Sequence, residues 1–144
     1  MQANTFSAGA SVVPSSKVEL TISCRNLIDA DIFSKSDPMC VVFTKQFASD
    51  RWRELGRTET IWDNLNPDFV KKFELDYYFE EKQILKFEIY DIDSQSADLS
   101  KHDFLGTMEC SLGEIVSAGR LKRALKGPKA NSGSIVGKLT PLLL

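Results

Sequence analysis

The stretch ILKFEIYDIDSQSADLSKHDFLGTMECSL (residues 84–112) decides the fold. Leu85, Phe87 and Ile89 alternate with Lys86, Glu88 and Tyr90, the period-2 pattern of a strand with one face buried. A polar segment follows, carrying Asp91, Asp93, Asp98 and Asp103. The chain then resumes alternation, with Phe104, Met108, Cys110 and Leu112 expected to face inward. The reading is two strands joined by an acid-rich loop, part of an all-β fold with negative charge at a loop end.

Upstream, Lys17 opens a strict alternation in which Val18, Leu20, Ile22 and Cys24 share one face. "MCVVFTK" (39–45) reads as a more fully buried strand. "DRWRELGRTET" (50–60) pairs with it in a hairpin across the short turn at Ala48–Ser49. "DNLNPDF" is turn chemistry, since Asn tolerates the left-handed region and Pro fixes φ. "FVKKFELD" (69–76) is the next strand. Ser111 with Glu114 forms a capping box for one short helix, and Gly119 is its expected stop. "RLKRALK" and "GSIVGK" supply the last two strands. Eight short strands with turn signals between them predict an antiparallel Greek-key β-sandwich. The expected organisation is a disordered tail over 1–16 and one domain over 17–140.

Composition excludes several classes. The 144 residues suffice for one domain with a sizeable core. A formal net charge of -2, with no basic face or run, argues against general nucleic-acid binding. No apolar stretch approaches the roughly 20 residues that span a bilayer, and the start lacks the basic and apolar regions of a signal peptide. Cys24, Cys40 and Cys110 fall in strand-like runs and are expected to be buried free thiols, which suits a reducing, cytosolic compartment. One histidine, no nucleophile elbow and no phosphate loop leave hydrolase or transferase activity without its machinery.

The acids have a second home in "DADIFSKSDP", which contributes Asp31 and Asp37. Asp is also an ordinary turn residue, so any one of these carries little weight. Their grouping in two loops carries more. At about 4 Å and an effective dielectric near 20, each pair of carboxylates repels by about 4 kcal/mol, which a cation between them would reverse. Oxygen donors from two loops suit calcium, which accepts six to eight ligands in flexible geometry. Zinc would want sulfur or nitrogen. The EF-hand spacing is absent, because Ser96 and His102 stand where that loop needs Gly and Glu.

The blocks "CRNLIDADIFSKSDPMCVVF", "RTETIWDNLNPDFVKKFEL" and "LKFEIYDIDSQSADLSKHDFLG" closely resemble the C2 domain, in particular the first C2 domain of the copines. The similarity runs from about Lys17 to Val136. The resemblance implies an eight-stranded sandwich in the phospholipase-type strand order, because the first strand leads straight into the first calcium loop. It further implies calcium ligands at Asp31, Asp37, Asp91, Asp93 and Asp103. The segment before Asp103 is longer than in protein kinase C-like members, so Asp98 could replace or supplement it. Backbone carbonyls of Ala30 and Ile92 would complete the set. Beyond Val136, "GKLTPLLL" departs from the usual copine continuation. Copines also carry a second C2 domain and a von Willebrand A-like domain, neither of which lies within these 144 residues.

The expected function is calcium-dependent binding to anionic phospholipid, phosphatidylserine above all, with movement from cytoplasm to the plasma membrane or other membranes when calcium rises. Ile32, Phe33 and Leu99 are the candidates to enter the headgroup region, and Lys35 and Lys101 to face anionic lipid. A calcium-independent domain that binds protein targets is the alternative, although such domains commonly lose the loop acids kept here. Lys71 and Lys72 read more readily as a solvated face than as a phosphoinositide patch, and around the third strand the chain offers mainly Arg57. His102 is expected to face solvent beside a proposed ligand. Trp52 and Trp62 are expected to pack against the sandwich edge, and Tyr77, Tyr78 and Phe79 to close the loop between strands.

Overall fold

The computed structural model describes residues 15–29, 35–46 and 48–142. Residues 1–14 of the expected 1–16 tail, and Ala30, Asp31, Ile32 and Phe33, lie outside them, whereas Ser15 and Ser16 of that span open the first strand. Eight strands form in chain order: β1 (Ser15–Arg25), β2 (Pro38–Gln46), β3 (Arg53–Arg57), β4 (Phe73–Tyr78), β5 (Gln83–Asp91), β6 (Asp103–Ser111), β7 (Arg120–Ala124) and β8 (Ser134–Pro141). One helix, α1 (Leu112–Ala118), links β6 to β7. The strands build two four-stranded antiparallel sheets, β4-β1-β8-β7 and β3-β2-β5-β6.

The apolar alternation read from the sequence becomes the interior of the sandwich. Val18, Leu20, Ile22 and Cys24 of β1 join Cys40 and Val42 of β2 and Leu85, Phe87 and Ile89 of β5 in one core. All three cysteines are buried and free. Burial pushes the Cys24 and Cys110 thiols up to about 12, so neither is a ready thiolate.

The helix follows its sequence signals closely. Ser111 Oγ accepts from Glu114 N at 3.2 Å, and Glu114 Oε2 accepts from Ser111 N at 2.7 Å. Gly119, at φ 73°, closes the helix by donating to the Ile115 carbonyl at 2.7 Å. That conformation lies in the left-handed half of φ space, which glycine enters without steric cost.

Strands β3, β4 and β6 differ most from their expected form. β3 is shorter than residues 50–60, because beyond Arg57 the chain leaves the ladder and Thr58 N donates to Cys40 O instead. β4 starts at Phe73 rather than at residue 69. Phe69 is nonetheless buried, held by its N–H on Ile22 O at 3.1 Å and by the Ser23–Asp68 bridge. The third difference is in β6. Its pairing with β5 shifts between Ile89 and Tyr90, so Ile89 faces Gly106 and Tyr90 faces Phe104. Leu105 is the extra residue of a bulge, and a bulge reverses inside-outside parity. Leu105 is therefore fully buried, while Phe104 points outward, 40% exposed, with its ring edge-on to Tyr90 at 5.8 Å. The expectation of an inward Phe104 assumed unbroken alternation.

Candidate metal centre at one end of the sandwich

Three segments meet at one end: residues 35–37 of loop 1 (26–37), loop 2 (58–72) and loop 3 (92–102). Strand parity and register bring the acids together there. On β5 the inward positions are Leu85, Phe87, Ile89 and then Asp91, so the last inward side chain is a carboxylate. Asp91 is 0% exposed. Its neighbour on one side is Pro38, the residue after Asp37. On the other side, because of the bulge, its register partner is Asp103.

Carboxylate oxygens of Asp91, Asp93 and Asp103 all lie within 4.8 Å of one another, the one such group among the described residues. Asp93 and Asp103 are exposed. Asp37, half-buried, joins through the backbone. Its N–H donates to Asp91 Oδ1 at 2.8 Å, and its carbonyl accepts from Ile92 N at 3.0 Å. Loops 1 and 3 thus meet at the end of β5.

Loop 2 is strapped onto the same end. Asp63, in the left-handed region at φ 54°, donates its N–H to Asp37 Oδ1 at 2.6 Å and accepts from Lys35 N at 3.0 Å. Ile61 N bonds to Pro38 O and Asn64 N to Ser36 O, each at 3.0 Å. Sequence reasoning missed Asp63, whose one signal is the turn chemistry around Asn64–Pro67.

Glu59 closes the other side of loop 2. Its carboxylate accepts from Val70 N at 2.6 Å and Lys71 N at 3.1 Å. Partial burial pushes this carboxyl up, but the backbone N–H groups outweigh it and hold it below its ordinary 4.5. A carboxyl lowered on folding stabilises the fold above its unfolded value and stops doing so as pH falls through the folded one. Thermal melts across the carboxylate range should therefore show Glu59→Gln less stable than the parent at neutral pH, with the gap closing below about pH 4.5.

His102 departs from expectation. It is only 8% exposed, and its ring is the inner brace of loop 3. Nδ1 accepts from Asp93 N at 3.1 Å, so the proton sits on Nε2, which donates to Ser96 O at 2.8 Å. A neutral imidazole thus ties Asp93 to the far arm of its loop. Nothing in a lone histidine between Lys101 and Asp103 signals burial.

Asp98 caps a 3₁₀ turn (Leu99–Lys101), its Oδ1 accepting from Ser100 N at 3.0 Å and from Ser100 Oγ at 2.8 Å. The Ser100 donors hold this carboxyl below its ordinary value. It is not in the three-carboxylate group. Leu99 is half-buried, whereas Lys35 and Lys101 are exposed.

The cations weighed for lipid phosphate elsewhere already have neighbours. Arg57 holds Glu54 with two nitrogens, at 2.8 and 3.0 Å, and the Ala97 carbonyl with a third at 2.9 Å. Lys72 lies 3.6 Å from Glu19, and Lys71 lies over the Phe73 ring. Trp52 sits beneath the Lys45 and Lys86 ammoniums, 4.6 and 4.5 Å from its ring centroid. Trp62 does not pack as expected: it is 68% exposed. Phe79, expected to close a loop, is 76% exposed.

The donor set fits a hard cation. It consists of carboxylate oxygens with no thiolate among them. Calcium–oxygen distances of about 2.3–2.6 Å allow ligands on a common ion to stand up to about 5 Å apart, and the observed spread of 4.8 Å falls within that limit.

A two-sheet antiparallel sandwich whose inter-strand loops converge on carboxylates at one end is the architecture of a C2 domain. The chain belongs to that family, whose profile matches residues 17–126. It is 48% identical to Nicotinic receptor-associated protein 1 of Caenorhabditis elegans, over 78% of this chain and 20% of the relative, and equally so to the Caenorhabditis briggsae protein of that name. The chain thus spans about a fifth of the length of these relatives. Among solved structures it resembles a C2 domain of plant Extended Synaptotagmin 1, with a TM-score of 0.62 at 18% identity over 90% of this chain and 97% of that one. It also resembles the calcium-bound pair of C2 domains of Extended-Synaptotagmin 2, with a TM-score of 0.62 at 21% identity over 90% of this chain and 46% of that one. At these identities the likeness establishes the fold.

Proposed function

We propose that this chain is a calcium-dependent phospholipid-binding module, the first C2 domain of a copine, which brings the protein that carries it to anionic membranes. The observation that carries the reading is the meeting of Asp91, Asp93 and Asp103 within 4.8 Å, with Asp37 bonded to Asp91. Asp37, Asp91, Asp93 and Asp103 would hold the ion, with Asp31 completing the set. Asp103 suits the fifth role better than Asp98, whose Oδ1 already serves Ser100.

Calcium, when bound, supplies positive charge and open positions for phosphate or carboxylate oxygens of a lipid such as phosphatidylserine. The chain's own residues do the rest. The hydrogen bonds from Asp37 N to Asp91 and from Asp93 N to His102 fix the donors before any ligand arrives. Without a cation, the exposed Asp93 and Asp103 repel anionic headgroups. Lys35 and Lys101 stand on the same end, each worth about 1 kcal/mol beside an anionic surface. Ile32, Phe33 and the half-buried Leu99 are the apolar groups that would enter the headgroup region.

In this role the protein rests in the cytoplasm and moves to membrane as calcium rises. No helix among the described residues is long and apolar enough to cross a bilayer. No catalytic step is assigned to it. Co-sedimentation with phosphatidylcholine–phosphatidylserine vesicles tests the reading: the protein should pellet in calcium and stay in solution with chelator. Equal pelleting in both would end the proposal in favour of a calcium-independent interaction domain.

A further inference from the structure

Of the exposed large apolar side chains among the described residues, Trp62 is the one held between bonds to Ser36–Pro38, where loop 1 runs into β2. Its backbone is anchored on both sides: Ile61 N reaches Pro38 O, Asp63 N reaches Asp37 Oδ1 and Asn64 N reaches Ser36 O. The indole between these anchors is 68% exposed. It forms one wall of an open cleft of about 380 Å³ between loops 2 and 3, whose other walls include Thr60, Gln95 and His102. The fold therefore holds a large apolar ring at the end of the molecule, on a fixed backbone, without burying it.

Leaving an indole in water forgoes most of the stabilisation that burying its 150–250 Å² would bring. The side chain is also the type that settles at the boundary between hydrocarbon and headgroups, where its rings are apolar and its N–H stays wet. Once the carboxylates at this end are neutralised, the remaining neighbouring charges agree. Lys35 on loop 1 and Lys101 on loop 3 are exposed at the same end, which suits an anionic bilayer. The other tryptophan, Trp52, is covered by two ammonium groups and cannot serve this purpose.

We propose that Trp62 is an interfacial anchor, a loop 2 contact that docks into the headgroup layer of an anionic phospholipid bilayer once the carboxylates beside it are neutralised. This rests on the membrane-binding reading above. It adds to the loop 1 and loop 3 contacts a residue whose pose is set in advance by Asp37, one of the proposed ligands. Loading of the site and orientation of the indole are then linked through the Asp63 N–H.

The test uses tryptophan emission. Trp52→Phe leaves Trp62 as the only indole, since the chain holds 2 tryptophans. With phosphatidylcholine–phosphatidylserine vesicles and calcium, the emission should shift to the blue and be quenched by shallowly brominated lipid, and chelator should reverse both. Trp62→Ala should weaken vesicle binding about tenfold, equivalent to about 1.4 kcal/mol, while leaving the calcium-induced rise in melting temperature intact. If Trp52→Phe does not fold, the difference in emission between the parent and Trp62→Phe reports the same change. Calcium-dependent vesicle binding without a shift or quench would overturn the anchor alone, and would leave the ring for a protein partner. No vesicle binding under any condition would overturn the membrane reading and the anchor together.

Discussion

Replacing Asp93 and Asp103 together by asparagine is expected to abolish the calcium-induced rise in melting temperature while leaving the calcium-free protein as stable as the parent, or slightly more so. A ligand that binds only the native state stabilises it by about 2.7 kcal/mol at 100 times its Kd. For a domain of this size that corresponds to roughly 8 °C. Both side chains are exposed and neither belongs to the core, so the exchange opens no cavity. It also removes repulsion among three carboxylates within 4.8 Å. At that separation a pair costs between about 1 kcal/mol in water and about 3.5 kcal/mol at an effective dielectric of 20, and exposure puts these two nearer the lower figure. A structural acid would behave oppositely: its loss would lower the calcium-free melting temperature and leave the calcium response in place. Scanning calorimetry of parent and variant, with calcium and with chelator, separates the two outcomes.

Phe87→Ala should be the most damaging single change in the interior. Phe87 is fully buried on β5, between Val42 of β2 and Met108 of β6 in register. Truncating a buried phenylalanine costs about 3–5 kcal/mol through lost burial and the cavity left behind. That is a large share of the roughly 5–15 kcal/mol by which domains are stable. Urea titration should show a lower midpoint with little change in slope. Calcium at 100 times its Kd returns only about 2.7 kcal/mol, so the variant should remain less stable than the calcium-free parent. A shift below about 1 kcal/mol would show that β5 is not the centre of the core.

These two variants act at opposite ends of one inference. The alternation Leu85, Phe87, Ile89 predicts a half-buried strand, and the same parity carried two residues on puts Asp91 in the interior. Period-2 burial is a local property, so eight strands, the capping box at Ser111 and the stop at Gly119 could be read directly. The acids could be read as a group for a related reason: carboxylates crowd at strand ends only where something offsets their charge.

What remained hidden depends on contacts between segments distant in the chain. Leu105 is a bulge because Tyr90 pairs with Phe104, and that pairing both turns Phe104 outward and sets Asp103 opposite Asp91. Asp63 reaches Asp37 across 26 residues, and nothing near either residue predicts the bond. His102 is buried because loop 3 folds over it, and Trp62 is exposed because its flanking backbone is committed to loop 1. Alternation, turns and caps come from neighbours along the chain, so the sequence alone determined the strands, the helix and the class of fold. Register, bulge and loop packing arise from pairing across it, so only the tertiary structure decided which acids share a site and which ring faces the solvent.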